Sequence, residues 1–180
     1  MPTLIKHRRI AADSWRRLSL GGALPELPQR GGLVVPLGLW LERRSELLER
    51  GAGLGLWLDS HEEPEAIAPD VGRFELIAVN FPKFQDGRGF STARLLRERY
   101  GYQGELRAIG HVTRDHLYYM EGCGFDAFEL REGEDAEQAL AAFAAFSEAY
   151  QSSVTRPLPL FRRRASARAP RGPGRRSPST

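Results

Sequence analysis

The chain has 180 residues, of which 41% are hydrophobic and 27% charged, and its net charge at neutral pH is +3. This length and composition predict one domain that can bury a hydrophobic core. The sequence contains no run of 18 apolar residues and no apolar N-terminal signal segment, which argues against a membrane-spanning helix and against secretion. The one cysteine, Cys123, excludes an intramolecular disulfide framework and a multi-cysteine metal cluster. We therefore expect a cytoplasmic protein.

The positive charge is confined to the two ends of the chain. Residues 33–150 contain twelve Lys and Arg but twenty-one Asp and Glu, so this part has a net charge of −9. Residues 151–180 contain eight Arg and no acidic residue. Because a nucleic-acid-binding domain normally carries positive charge on its folded surface, we expect no specific binding of nucleic acid by the folded part.

Three segments are predicted along the chain. Residues 1–32 form a leader and linker, with a short helix or irregular structure over 8–20 and a stretch rich in Gly and Pro over 21–32. Residues 33–153 form an α/β domain. Residues 154–180 form a basic tail rich in Pro and Arg, which has too few large apolar side chains to fold and is expected to be disordered.

Apolar runs and helical periodicity alternate through the α/β domain. The apolar runs predict strands at 33–37, 54–58, 74–81, 105–109 and 125–130. The segments between them predict helices at 39–50, 91–100, 113–121 and 135–150, and a short helical or turn segment at 62–70. Ser91 is the predicted N-cap of the second helix, and Gly101 is its predicted stop.

This alternation predicts four to five consecutive βα units that form a parallel sheet. Two forms stay open, namely an open flavodoxin-like sheet and a partial TIM-like barrel, because a full barrel needs roughly 250 residues. Two chains could also complete a barrel as a homodimer.

The loop after the third predicted strand, residues 80–91, is the strongest candidate for a functional site. Ligands of parallel α/β sheets bind at the carboxyl ends of the strands, and this loop leads into a helix N-terminus, which favours anions. We predict that Asp86 is the catalytic group, and that an anion or substrate is bound by Lys83, Gly87, Arg88, Gly89 and Ser91. A structural turn, in which Arg88 pairs with Asp86, is the alternative.

Two further groups of polar residues follow the later strands. Glu129 and Arg131 alternate at the end of the fifth predicted strand, so they are predicted to share a face and line the same cleft, or to form a salt bridge. His111 and His116 lie near Asp115, but a spacing of five places two side chains about 140° apart on a helix. We therefore expect surface or capping roles for the histidines and no metal site.

Four stretches together resemble a proteobacterial family known as domain of unknown function 934. They are the runs IAVNFPKFQDGRGFS (77–91), ARLLRERYG (93–101), GELRA (104–108) and CGFDAFEL (123–130). The resemblance extends over residues 54–150, and the leader and the Arg-rich tail fall outside it. It carries no established catalytic residues over to this chain.

The resemblance implies a pathway, because members of the family are encoded beside genes of assimilatory sulfite reduction. It implies an accessory protein or an oxidoreductase component of assimilatory sulfate and sulfite reduction. Two alternatives are a small enzyme that acts on an anionic metabolite at the loop 82–91, and a non-catalytic interaction module. The sequence leaves open whether the protein is an enzyme. No flavin, nicotinamide or iron–sulfur motif is visible, so the cofactor is unknown.

The partners expected from this reading follow from the same resemblance and from the loop. They are sulfite reductase or another sulfur-assimilation protein, an anionic small molecule, and a second copy of the chain. We expect no membrane partner.

Overall fold

The computed structural model of the chain describes residues 2–18, 27–28, 30–50, 53–83 and 86–145. The predicted tail and the end of the last predicted helix lie outside the described residues. Within the described ranges, no helix combines the length and the apolar character that crossing a membrane requires.

The strands of the described residues form one mixed sheet of eight. They are β1 (Leu4–Lys6), β2 (Arg9–Ala11), β3 (Trp15–Arg17), β4 (Gly32–Pro36), β5 (Leu54–Leu58), β6 (Leu76–Phe81), β7 (Glu105–Gly110) and β8 (Ala127–Glu129). Their order across the sheet is β2-β1-β8-β7-β6-β5-β4-β3. From β3 to β8 each strand pairs in parallel with its neighbour, whereas β1 is antiparallel to both β2 and β8.

Helices connect the parallel strands and cover one face of the sheet. They are α1 (Leu37–Glu49), a 3₁₀ helix (Pro64–Arg73), α2 (Arg88–Arg94), a π-helical turn (Leu95–Arg99) that continues α2, α3 (Arg114–Gly122) and α4 (Ala136–Ala145). The core between the helices and the sheet is large and apolar, and its bulkiest fully buried side chains include Trp40, Phe125, Phe128, Leu56 and Ile77. Burial of this apolar surface is the main favourable term that holds the helices on the sheet.

The α/β class is confirmed, but the prediction of four to five consecutive βα units, flavodoxin-like or TIM-like, is wrong. Three additional strands, β1 to β3, come from the segment predicted as a leader. The turn between β1 and β2 is formed by His7 and Arg8, whose φ angles are 48° and 59°. Two-residue hairpin turns with positive φ angles are normally recognised in a sequence by Gly, Asn or Asp. The hairpin was therefore missed, and its strands of three residues are too short to show alternation.

The sheet curls into a half-barrel. Only residues 12–14 connect β2 at one edge to β3 at the other, so Ala11 and Trp15 lie at most about 15 Å apart. Side chains also contact each other across the concave face. Arg17 on β3 forms an ion pair with Glu129 on β8, although four strands lie between them in the sheet.

The concave face of the half-barrel combines a small apolar cluster with buried charges. Val34, Leu76, Ala78 and Ile109 form the cluster, and Trp15 and Trp57 pack against it. Arg107 lies beside the cluster on β7 with its side chain 4% exposed, and it pairs with Glu105 at 2.7 Å and with Asp13 at 2.8 Å. Asp13 belongs to the short connection between β2 and β3, so this ion pair fastens that connection across the half-barrel.

Candidate functional site

A cavity of about 320 Å³ opens where the parallel strands end on the concave face, and we call it the carboxyl-end cavity. It is bordered by the ends of β3, β5, β6, β7 and β8, which is the edge of a parallel sheet where ligands bind. The residues that line it are Pro2, Arg17, Trp57, Asn80, Ile109, Gly110, Glu129, Leu130, Arg131 and Glu132.

The structure places the predicted residues Glu129 and Arg131 on the wall of this cavity, but it does not pair them with each other. Glu129 instead accepts two hydrogen bonds from Arg17, of 2.9 and 3.1 Å. This two-pronged geometry matches a guanidinium to a carboxylate and neutralises both charges. Arg17 lies 112 residues from Glu129 in the chain. No local pattern could have indicated this contact.

Unlike Arg17, Arg131 has no side-chain partner among the residues that the structure describes. Its side chain is exposed, and its guanidinium forms no ion pair or hydrogen bond with any described residue. The backbone around it is fixed, because the Arg131 N–H donates to the carbonyl of Val112 and the Arg131 carbonyl accepts from the N–H of Glu134. An exposed guanidinium on a fixed backbone, with no partner among the described residues, can bind a carboxylate or an oxyanion.

A polar chain of contacts lies beside the cavity, between the ends of β5 and β6. The side-chain amide of Asn80 donates to Asp59 at 3.0 Å. Arg88 donates to the hydroxyl of Ser60 at 3.0 Å and to both carboxylate oxygens of Asp86, at 2.9 and 2.7 Å. The loop after β6 is thereby tied to the loop after β5, and both loops follow carboxyl ends of strands.

The pairing with Arg88 stabilises the ionised form of Asp86. The hydrogen bond from Arg88 holds the pKa of Asp86 well below its usual value, and a smaller contribution from Ser60 acts in the same direction. A carboxylate that stays ionised in this way is a poor general acid and a weak base at neutral pH. The catalytic role of Asp86 stays a prediction. The ion pair between Asp86 and Arg88 is the contact expected if the loop is a structural turn.

The other residues predicted in this loop are placed separately. Lys83 and Gly87 are exposed, and Ser91 is exposed within α2. Gly89 is buried beneath Phe81, whose ring would lie 2.6 Å from an added Cβ atom. Gly89 therefore allows α2 to pack closely on β6, and α2 begins at Arg88 rather than at the predicted N-cap, Ser91. Their roles in binding an anion stay predictions.

A second cavity, of about 460 Å³, lies next to the first, between the N-termini of α3 and α4. Arg131 belongs to the walls of both cavities, and His111 and Arg114 line only the second. Acidic side chains already occupy the helix ends here. Glu134 accepts from the N–H of Arg114 at 3.4 Å, and Asp135 accepts from two N–H groups of the first turn of α4.

A third cavity, of about 510 Å³, lies at the opposite, amino end of the strands. Two of the three charged groups that line it are paired, because Lys6 binds Glu105 at 2.6 Å and Glu105 also pairs with Arg107. The third, Glu75, is a carboxylate and would repel an anion. Among the residues that the structure describes, no group of three His, Cys, Asp or Glu side chains is placed to hold a metal ion. The carboxyl-end cavity brings the Arg131 guanidinium to the edge of the parallel sheet where ligands bind, which makes it the candidate site.

Several residues of the cavity were not predicted from the sequence. Arg17, Trp57, Asn80 and Ile109 come from four different strands, and Arg17 lies in the segment predicted as a leader. Trp57 and Asn80 carried one usable signal, since both fall at the carboxyl ends of predicted strands. Arg17 carried none, because its position depends on β3 pairing with β4.

Residues 55–161 match a family described as "Bacterial protein of unknown function (DUF934)". This match begins in β5 and includes Trp57, Asn80, Glu129 and Arg131, but not Arg17. No curated protein matches the chain.

Proposed function

Because the chain belongs to the DUF934 family of bacterial proteins, we propose that it is an accessory protein of assimilatory sulfite reduction that binds a small anion in the carboxyl-end cavity. The gene neighbourhood that the family resemblance implies supports the pathway. One observation supports the anion, namely the guanidinium of Arg131 on the cavity wall, which pairs with none of the described side chains. The proposal therefore has a biological part and a structural part, and each has its own test.

The proposed role is binding, because the cavity offers few groups for chemistry. The described residues that line it include no histidine, cysteine or lysine, and Glu129 is bound to Arg17. Asp86, the predicted catalytic group, is bound to Arg88 beside the cavity. Under this proposal a partner carries out the reaction, and the protein holds or delivers an anion.

Sulfite reductase is the partner that we propose. The acidic part of the chain, with a net charge of −9 over residues 33–150, would suit a basic docking surface. The test is copurification with sulfite reductase from cells grown on sulfate, at low and at high salt. Complex formation that weakens with salt supports this partner, and its absence at low salt contradicts it.

Growth of a deletion strain tests the pathway. We expect failure on sulfate and on sulfite as sole sulfur source, and normal growth on cysteine. Complementation with the Arg131→Ala variant should fail like the deletion, because the anion loses its counter-charge. The Arg73→Ala variant should restore growth, because Arg73 is an exposed arginine that precedes β6, at the amino ends of the strands. Normal growth of the deletion strain on all three sources would refute the pathway assignment.

A further inference from the structure

We propose that the ligand of the carboxyl-end cavity is a small organic anion rather than an inorganic oxyanion. Its anionic group, such as a sulfonate or a carboxylate, binds at Arg131, and its apolar or planar body lies against Trp57 and Ile109. This inference rests on the anion-binding part of the proposed function and names the class of ligand.

The size of the cavity favours an organic ligand. Its volume of about 320 Å³ is at the lower end of the range for small-molecule sites, roughly 300–1,000 Å³. One water molecule occupies roughly 30 Å³ in the liquid, so the cavity has room for about ten. An inorganic oxyanion has only four or five non-hydrogen atoms and would leave most of this space to water.

The floor of the cavity is apolar and fixed in orientation. The indole N–H of Trp57 donates to the carbonyl of Leu18 at 3.1 Å, so the polar edge of the ring is already satisfied. Ile109 lies in the apolar cluster of the concave face, and Trp57 packs against that cluster. Gly110, which follows Ile109, also borders the cavity. An apolar or flat ligand body would therefore cover surface that water now contacts.

The charges on the wall determine where the anionic group can bind. Arg17 and Glu129 neutralise each other, so their pair contributes little net field. Arg131 supplies the positive charge at which the anionic group binds. The anionic group of a ligand is therefore attracted to the Arg131 end of the cavity.

Binding of matched anions to the full chain tests the inference by isothermal titration calorimetry. The probes are benzenesulfonate, methanesulfonate and inorganic sulfite, and the two sulfonates carry the same charged group. We expect benzenesulfonate to bind about tenfold more tightly than methanesulfonate, because burial of roughly 60 Å² of apolar surface changes Kd by about that factor. Sulfite should bind no better than methanesulfonate.

Three variants separate the contributions of charge and apolar surface. Arg131→Ala should abolish binding, and Arg73→Ala should leave it unchanged. Arg131→Ala changes one exposed side chain, so the three probes measured on this variant and on the wild-type protein keep the test valid even if Trp57→Ala fails to fold. If it folds, Trp57→Ala should remove the preference for benzenesulfonate over methanesulfonate.

The outcomes distinguish this inference from the proposed function. Equal affinity for the two sulfonates, or tighter binding of sulfite that still depends on Arg131, overturns the inference and leaves the anion-binding role standing. Binding of none of the three probes by the wild-type protein overturns the inference and the anion-binding role together. The growth phenotype of the deletion strain remains an independent test of the pathway.

Discussion

Replacing Gly110 with alanine should destabilise the fold far more than the same replacement at Gly133. The two glycines have nearly equal positive φ angles, of 88° and 91°. They differ in what surrounds them. An added Cβ at Gly110 would lie 2.4 Å from the side-chain oxygen of Asn80 and 2.6 Å from the backbone carbonyl of Phe81, whereas at Gly133 nothing lies within 4 Å. Comparing the two alanine variants therefore separates the cost of the positive φ angle from the cost of steric crowding.

The expected magnitudes follow from these surroundings. Alanine at Gly133 bears only the cost of the left-handed conformation, about 1–2 kcal/mol. Alanine at Gly110 bears the same cost, and the crowded carbonyl of Phe81 must also shift within paired strands. Overpacking of this kind costs about 1–3 kcal/mol, so the total for Gly110→Ala is about 2–5 kcal/mol. Gly72 has no positive φ and no neighbour within 4 Å, so Gly72→Ala should be neutral.

Urea unfolding of the wild-type protein and the three variants measures these differences. The midpoint should fall most for Gly110→Ala, on the order of 1 M below that of Gly133→Ala, with an unchanged slope. Far-UV circular dichroism checks that each variant keeps its secondary structure. Equal midpoints for Gly110→Ala and Gly133→Ala would refute the reasoning, because the close approach of β6 and β7 would then cost nothing.

Two further predictions concern ion pairs. Arg107→Met should lower the free energy of unfolding by about 3 kcal/mol, because a nearly buried carboxylate, Glu105, loses one of its two cations; a loss of less than about 1 kcal/mol in urea unfolding would contradict this. Arg44 donates two hydrogen bonds to Asp70 and holds the pKa of Asp70 below its ordinary value of 3.8. This pair therefore stabilises the fold above pH 3.8, and the stabilisation is lost as the pH falls through the lowered pKa. Asp70→Asn should therefore have a lower free energy of unfolding than the wild type at pH 6, and the difference should be smaller at pH 3. A difference that does not change with pH would exclude this ion pair as its source.

Local features of the sequence were sufficient for much of the secondary structure. The predicted strand at 54–58 is confirmed. A continuous apolar run is typical of a strand that is buried on both faces of a parallel sheet. The helix stop at Gly101 is confirmed by its φ of 63°, which glycine adopts without strain. The helix predicted at 113–121 is observed at Arg114–Gly122, one residue further along at each end. In each case the determining interaction lies within a few residues.

Only the tertiary structure determined the shape of the sheet and the composition of the cavity. Leu4 pairs with Glu129, and Arg17 binds Glu129, across more than a hundred residues of chain. A strand of three residues has no periodicity of its own, and it becomes a strand because a long-range partner satisfies its backbone groups. The start of α2 at Arg88 depends on closer neighbours, because Asp86 accepts from the N–H of Arg88 and Gly89 packs under Phe81. The sequence alone determined which segments can bury apolar surface, whereas the pairing of distant strands decided which charged side chains meet, because such pairing leaves no trace in neighbouring residues.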